Sequence, residues 1–151
     1  MKIFLYDGRD FRPLVVESSA TLRWGCWTKD GKRGLFVGNR GTIFQIVNRK
    51  IDRLHTSSSE NLRCAEFSPT GTSALIVGNK GTILKLDNGF VNLVHSELTV
   101  NLRRVAWRPD GTSALLVGNE GAAYRFVDGT LERIDGAGNN LRSISWHPGG
   151  K

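Results

Sequence analysis

Residues 102–121 read LRRVAWRPDGTSALLVGNEG, and most of the chain is a variation on that line. Its opening Leu102-Arg103 recurs at Leu22-Arg23, Leu62-Arg63 and Leu141-Arg142. Its Val117-Gly118-Asn119 recurs at Val37-Gly38-Asn39 and Val77-Gly78-Asn79. From Leu22 to Leu62 and on to Leu102 the step is 40 residues, and from Leu102 to Leu141 it is 39. Trp27, Phe67, Trp107 and Trp146 fall in the same register. Short apolar runs between Gly-rich turns, repeated at this period, predict a radial array of small sheets, none able to bury its own apolar face alone.

Within one period the spacing predicts four strands. The first is LRWGCW, LRCAEF, LRRVAW or LRSISW, in which Gly25, Ala65, Val105 and Ile144 share a face with the aromatic two residues on. Lys29-Asp30-Gly31, Pro69-Thr70-Gly71, Pro109-Asp110-Gly111 and Pro148-Gly149-Gly150 then reverse the chain. Pro presets φ there and Gly accepts positive φ. The second strand, GLFVG, ALIVG or ALLVG, is apolar on both faces, as a strand between two packed layers must be. GNRGT, GNKGT and GNEGA read as tight hairpins, with Asn and Gly tolerating left-handed backbone. They lead to a third strand, TIFQI, TILKL or AAYRF, with KIFLY as the N-terminal counterpart. The fourth alternates more and contains Pro13, which cannot donate to a ladder and belongs on an outer edge. No segment has a helical period. The expected fold class is all-β, in β-propeller blades of four antiparallel strands.

Lys2 aligns with Thr42, so the chain enters the repeat at a third strand and leaves it just after a first. The expected organisation is a single partial propeller domain over 1–151. It has a half blade at 1–20, blades at 21–60, 61–100 and 101–139, and the first strand of a further blade at 140–151. The two ends supply first, third and fourth strands but no second. Unpaired edges beside an apolar slot recruit another chain. The expectation is therefore an incomplete ring, finished by further copies in a homo-oligomer or by missing blades.

The Trp107-Arg108-Pro109-Asp110-Gly111 turn followed by ALLVG and GNxGT resembles the WD-repeat-like β-propeller repeats of many prokaryotic proteins. More loosely, the VG-x-x-GT hairpin is similar to that of photosystem II assembly-factor-type propellers. The resemblance covers essentially the whole chain. It departs from eukaryotic WD repeats, having no Gly-His opening and no Trp-Asp close, and it lacks the S-x-D-x-G-x-x-W box of sialidases. It implies a rigid scaffold for binding, usually without catalysis, and names no ligand; the expected function is to engage a protein, peptide or anionic ligand at the mouth of a central channel. Because that family lines its channel with first strands, it also implies a positive ring of Arg23, Arg63, Arg103 and Arg142, suited to oxyanions. Trp24, with no aromatic counterpart in the other repeats, joins this candidate ligand-binding set as an aromatic at a mouth. A lectin-like carbohydrate-binding propeller and a fragment of a larger propeller enzyme are the alternatives.

Twenty-one Lys and Arg against 14 Asp and Glu give a formal charge of +7. The basic residues form no run and no stacking platform, so the excess reads as solubility rather than nucleic-acid binding. Cys26 and Cys64 occupy non-equivalent repeat positions, which favours buried free thiols over a disulfide and a reducing compartment. The N-terminal MKIFLYDGRDFRP lacks the apolar core of a signal peptide, and no run approaches the ~20 apolar residues of a membrane helix. The expected location is cytoplasmic, without membrane contact. His55 and His95 are repeat-equivalent, but no third ligand recurs with them, so no metal is expected. There is no Ser-His-Asp order, no recurrent carboxylate pair and no phosphate loop backed by a helix. The expectation is no catalytic residue, no cofactor and no enzyme.

Overall fold

The computed structural model describes residues 2–135 and 138–150. The chain is all-β, and among the described residues there is no helix. β1 (Lys2–Tyr6) and β2 (Phe11–Val15) form a two-stranded hairpin. Three four-stranded antiparallel meanders follow. The first holds β3 (Leu22–Trp27), β4 (Arg33–Gly38), β5 (Ile43–Val47) and β6 (Lys50–Leu54). The second holds β7 (Leu62–Phe67), β8 (Ser73–Gly78), β9 (Ile83–Asp87) and β10 (Phe90–Leu93). The third holds β11 (Leu102–Trp107), β12 (Ala114–Gly118), β13 (Ala123–Val127) and β14 (Thr130–Arg133). Each sheet keeps its chain order edge to edge, and none closes on itself as a barrel. Pro13 lies on the edge strand β2, where its missing N–H costs no ladder bond.

The sheets stack face to face, and period-two alternation decides what each face carries. One face of each sheet is Leu- and Val-rich, and it covers the bulkier face of the next. Leu35, Val37 and Ile43 pack with Ala65, Phe67, Ile76, Leu84 and Leu86. Leu75, Val77 and Ile83 pack with Val105, Leu116 and Phe126. Ile3 and Val16 cover Phe44 in the same way. A fully buried Leu or Ile in such a seam contributes about 1.5–3 kcal/mol.

The hairpins join neighbouring sheets as well as neighbouring strands. In GNxGT the left-handed residues are the variable one and the Gly after it, with φ of 53° at Arg40, 49° at Lys80 and 57° at Glu120. Asn39, Asn79 and Asn119 are not left-handed; their N–H groups donate to Thr21, Asn61 and Asn101 carbonyls. Asn61, Asn101 and Asn140 act across sheets. Their Oδ1 atoms accept the N–H of Arg40, Lys80 and Glu120 in the preceding hairpin at 3.2, 3.0 and 2.9 Å. Gly81 shows why Gly is required there. Its N–H donates to the Val100 carbonyl, its φ is +66°, and a Cβ would meet the Leu98 carbonyl oxygen at 2.0 Å.

Two expectations change. Residues 141–146 form no strand: Leu141 N–H donates to the Gly118 carbonyl, but no second strand lies beside the segment to complete a ladder. The aromatic register is not uniformly core either. Phe67 is 6% exposed and Trp27 is 42% exposed. The preceding hairpin supplies no first strand to cover Trp27. Both thiols are free, with Cys64 buried and Cys26 half-buried.

Candidate functional site

β3, β7 and β11 lie side by side, so equivalent residues of successive repeats converge on one surface. At their N-terminal ends each strand carries a β-bulge, with register breaking between Leu22 and Trp24, Leu62 and Cys64, and Leu102 and Arg104. The residue left out of the ladder is Arg23, Arg63 or Arg103. A bulge re-aims its side chain away from the sheet alternation. Each guanidinium is then held by the hairpin of its own sheet. Arg63 Nε donates to Asn79 Oδ1 at 2.8 Å and Arg103 Nε to Asn119 Oδ1 at 2.9 Å, with Arg23 and Asn39 paired likewise. No carboxylate forms a salt bridge with these three among the described residues. Burial pushes the Arg63 pKa down, and the charges of Arg23 and Arg103 push it further the same way. Three guanidiniums therefore gather at one end of these strands, with no acidic partner among the described residues. Arg142, expected as the fourth, is exposed and stands outside the set, because its segment has neither bulge nor hairpin Asn.

Toward the other end of the same strands a cleft of about 540 Å³ opens between β3, β7, β11 and residues 143–146. Its apolar wall includes Trp24, Trp107 and Trp146. Trp107 Nε1 donates to the Glu66 carbonyl at 3.2 Å and Trp146 Nε1 to the Ala106 carbonyl at 2.9 Å, so each indole ties its segment to the first strand of the sheet before. Trp24 is half-buried, and the Arg104 guanidinium lies 3.7 Å from its ring centroid, a cation–π contact. Glu66 is the sole carboxylate lining the cleft among the described residues. Burial raises its pKa above the ordinary 4.5, while the Trp107 backbone N–H and the Arg104 charge act against that rise. The Cys26 thiol on the same wall is pushed up to about 12 and Cys64 beside it to about 11, chiefly by burial, so neither is a nucleophile near neutral pH.

Glu66 and Arg104 were not among the residues expected from the sequence. They occupy columns in which the repeat varies. Glu66 aligns with Cys26, Ala106 and Ser145, and Arg104 with Trp24, Cys64 and Ser143. Variation inside an otherwise constant frame is the signal that points to them. His55 and His95 gather no third ligand; no group of three or more metal-ligating side chains occurs among the described residues.

The fold and cleft define an all-β repeat protein of stacked four-stranded sheets with a basic mouth and an acidic residue set between aromatics. Neither a family model nor a curated protein matches the chain. Solved structures do. One, from Bacteroides uniformis and provisionally assigned as a 6-phosphogluconolactonase, is 18% identical with a TM-score of 0.68. The match covers 87% of this chain and 46% of that one, so this chain spans under half the length of that structure. At this identity the likeness establishes fold. It corrects the expected kinship: the matched fold is of the lactonase kind, with no support for a WD-repeat-like or photosystem II assembly-factor-type family. The expectations of a non-catalytic scaffold and of no enzyme are overturned with it, because that matched structure is itself provisionally assigned as an enzyme. The sequence offers no recurrent carboxylate pair, and the structure places the single carboxylate of Glu66 half-buried in the cleft. No helix is long and apolar enough to cross a membrane among the described residues.

Proposed function

We propose that the stacked sheets are blades of a β-propeller, divided at 1–20, 21–60, 61–100, 101–139 and 140–151, and that the inner-strand cleft hydrolyses a small, anionic, sugar-derived lactone. The observation that carries this reading is Glu66, half-buried in the cleft beside Arg104 and the Trp24 ring, with its pKa raised by that burial. A carboxylate with a raised pKa is a stronger base near neutral pH. Glu66 takes a proton from water as its oxygen attacks the lactone carbonyl carbon. Arg104 stabilises the oxyanion that develops. The ring C–O bond then breaks, and the leaving ring oxygen receives the proton from Glu66, giving the open hydroxy acid. Trp24 and the neighbouring indoles offer faces to the C–H side of a sugar. Arg23, Arg63 and Arg103, at the opposite end of the same strands, add a long-range positive field that favours an anionic substrate.

The test is hydrolysis of glucono-δ-lactone and its 6-phosphate by the full chain, followed against the spontaneous rate. Glu66→Gln is expected to lower kcat by about 10²–10⁴ with little change in KM. Replacing Arg23, Arg63 and Arg103 by Gln is expected to raise KM for the phosphorylated lactone more than for the neutral one. Hydrolysis no faster than the spontaneous rate, or unaffected by Glu66→Gln, overturns the assignment.

A further inference from the structure

The two faces of the β1–β2 hairpin differ sharply. Ile3 and Leu14 pack toward Phe44 and Phe36 of the next sheet. The other face carries Phe4, Tyr6, Phe11 and Val15, which are 55, 61, 69 and 71% exposed. Strand register sets these side by side, pairing Tyr6 with Phe11 and Lys2 with Val15, and the Tyr6 and Phe11 rings lie 5.0 Å apart. In the larger sheets the repeat-equivalent residues Phe44, Leu84, Leu86 and Phe126 are 4% exposed or less, each covered by the sheet before. At the far end Leu115, Val117 and Ala123 repeat the covering face formed by Leu35, Val37 and Ile43; Val117 and Ala123 are 2 and 9% exposed, and Leu115 is half-buried. The hairpin thus presents one half of an interface the molecule already makes internally, and Leu115 is the open part of the other half. The indole series has the same break. Trp146 and Trp107 each donate to the preceding first strand, whereas Trp27, at the cleft rim, makes no hydrogen bond through Nε1 among the described residues.

We propose that the occupant of both faces is a second copy of this chain, docked head to tail to close a two-copy ring. The Phe4, Tyr6, Phe11 and Val15 face of one copy lies on Leu115 and Ala123 of the other. By the repeat rule, Trp27 Nε1 donates to the Ser145 carbonyl of the second copy, and residues 143–146 of that copy complete the cleft wall. One observation favours a copy over a foreign partner: the joint continues a packing already present three times in the chain. Complementary surfaces of this kind either close or run on as filaments, and the closed pair is the case proposed. The inference stands on the repeated interface and not on the hydrolysis proposed above.

Light scattering on the full chain at micromolar concentration tests it. The expected mass is twice 16.7 kDa. The Phe4→Asp/Tyr6→Asp variant is expected at 16.7 kDa with its β-sheet circular dichroism retained. Phe90→Asp, 73% exposed on β10 and away from the joint, should remain dimeric. If the double variant fails to fold, Phe11→Asp on the edge strand β2 is read in the same way. A native chain at monomer mass, open-ended oligomers, or a dimer indifferent to the charges introduced on β1 and β2 overturns the proposal.

Discussion

The two ends of the inner strands repeat to different degrees. At the bulge end, Leu-Arg opposite Gly-Asn recurs in β3, β7 and β11, and the same hydrogen bond from Arg to Asn recurs with it. At the cleft end the columns diverge into Trp24, Cys64, Arg104 and Ser143, and into Cys26, Glu66, Ala106 and Ser145. The constant columns hold one sheet to the next. The divergent ones meet in a single cavity where no two sheets offer the same chemistry. Architecture here lies in the repetition, and chemical individuality in the departures from it.

That contrast can be broken by substitution. Phe67→Ala, in a constant column and 6% exposed, is expected to cost about 3–5 kcal/mol in denaturant unfolding. A cost under about 1 kcal/mol would remove the architectural role assigned to that column. Asn101→Ala deletes the acceptor for Lys80 N–H and should cost about 1 kcal/mol. Its loss should appear as faster amide exchange confined to the hairpin between β8 and β9. The smallest effect belongs to the divergent column. Folding raises the Glu66 pKa above 4.5, so the folded chain binds more protons than the unfolded one through that window, and stability falls as pH rises through it. Glu66→Gln removes this dependence. The variant should match the native chain in stability below the window and exceed it above, as read from melting temperature against pH. An unchanged difference across pH would mean that Glu66 is solvated after all.

The sheets and turns were legible in the sequence because period-two alternation and Gly spacing act locally. Gly31, Gly71, Gly111 and Gly150 all take positive φ where the turn pattern required it. The bulges were not legible. A residue left out of a ladder is visible only against its partner strand, and Arg23, Arg63 and Arg103 look like ordinary strand positions in one dimension. The strand expected at 141–146 had the right pattern, but ladder bonds need a neighbour as well as a propensity. Glu66 was readable only by contrast with Cys26, Ala106 and Ser145, since nothing on its own strand marks it as desolvated. Trp24 was singled out for lacking aromatic counterparts. It does line the cleft, beneath a guanidinium that sequence separation conceals.

The clasp from Asn61, Asn101 and Asn140 back to the preceding hairpin spans only 21, 21 and 20 residues. Hook and eye therefore travel together on any stretch of the gene one period long. A tandem duplication inserts a unit that already fits both of its neighbours, and a deletion of one period leaves the flanking units still fitted to each other. Growth or shrinkage of such an array by unequal crossing-over demands no new interface, so the number of units is evolutionarily soft while the seam between them is not.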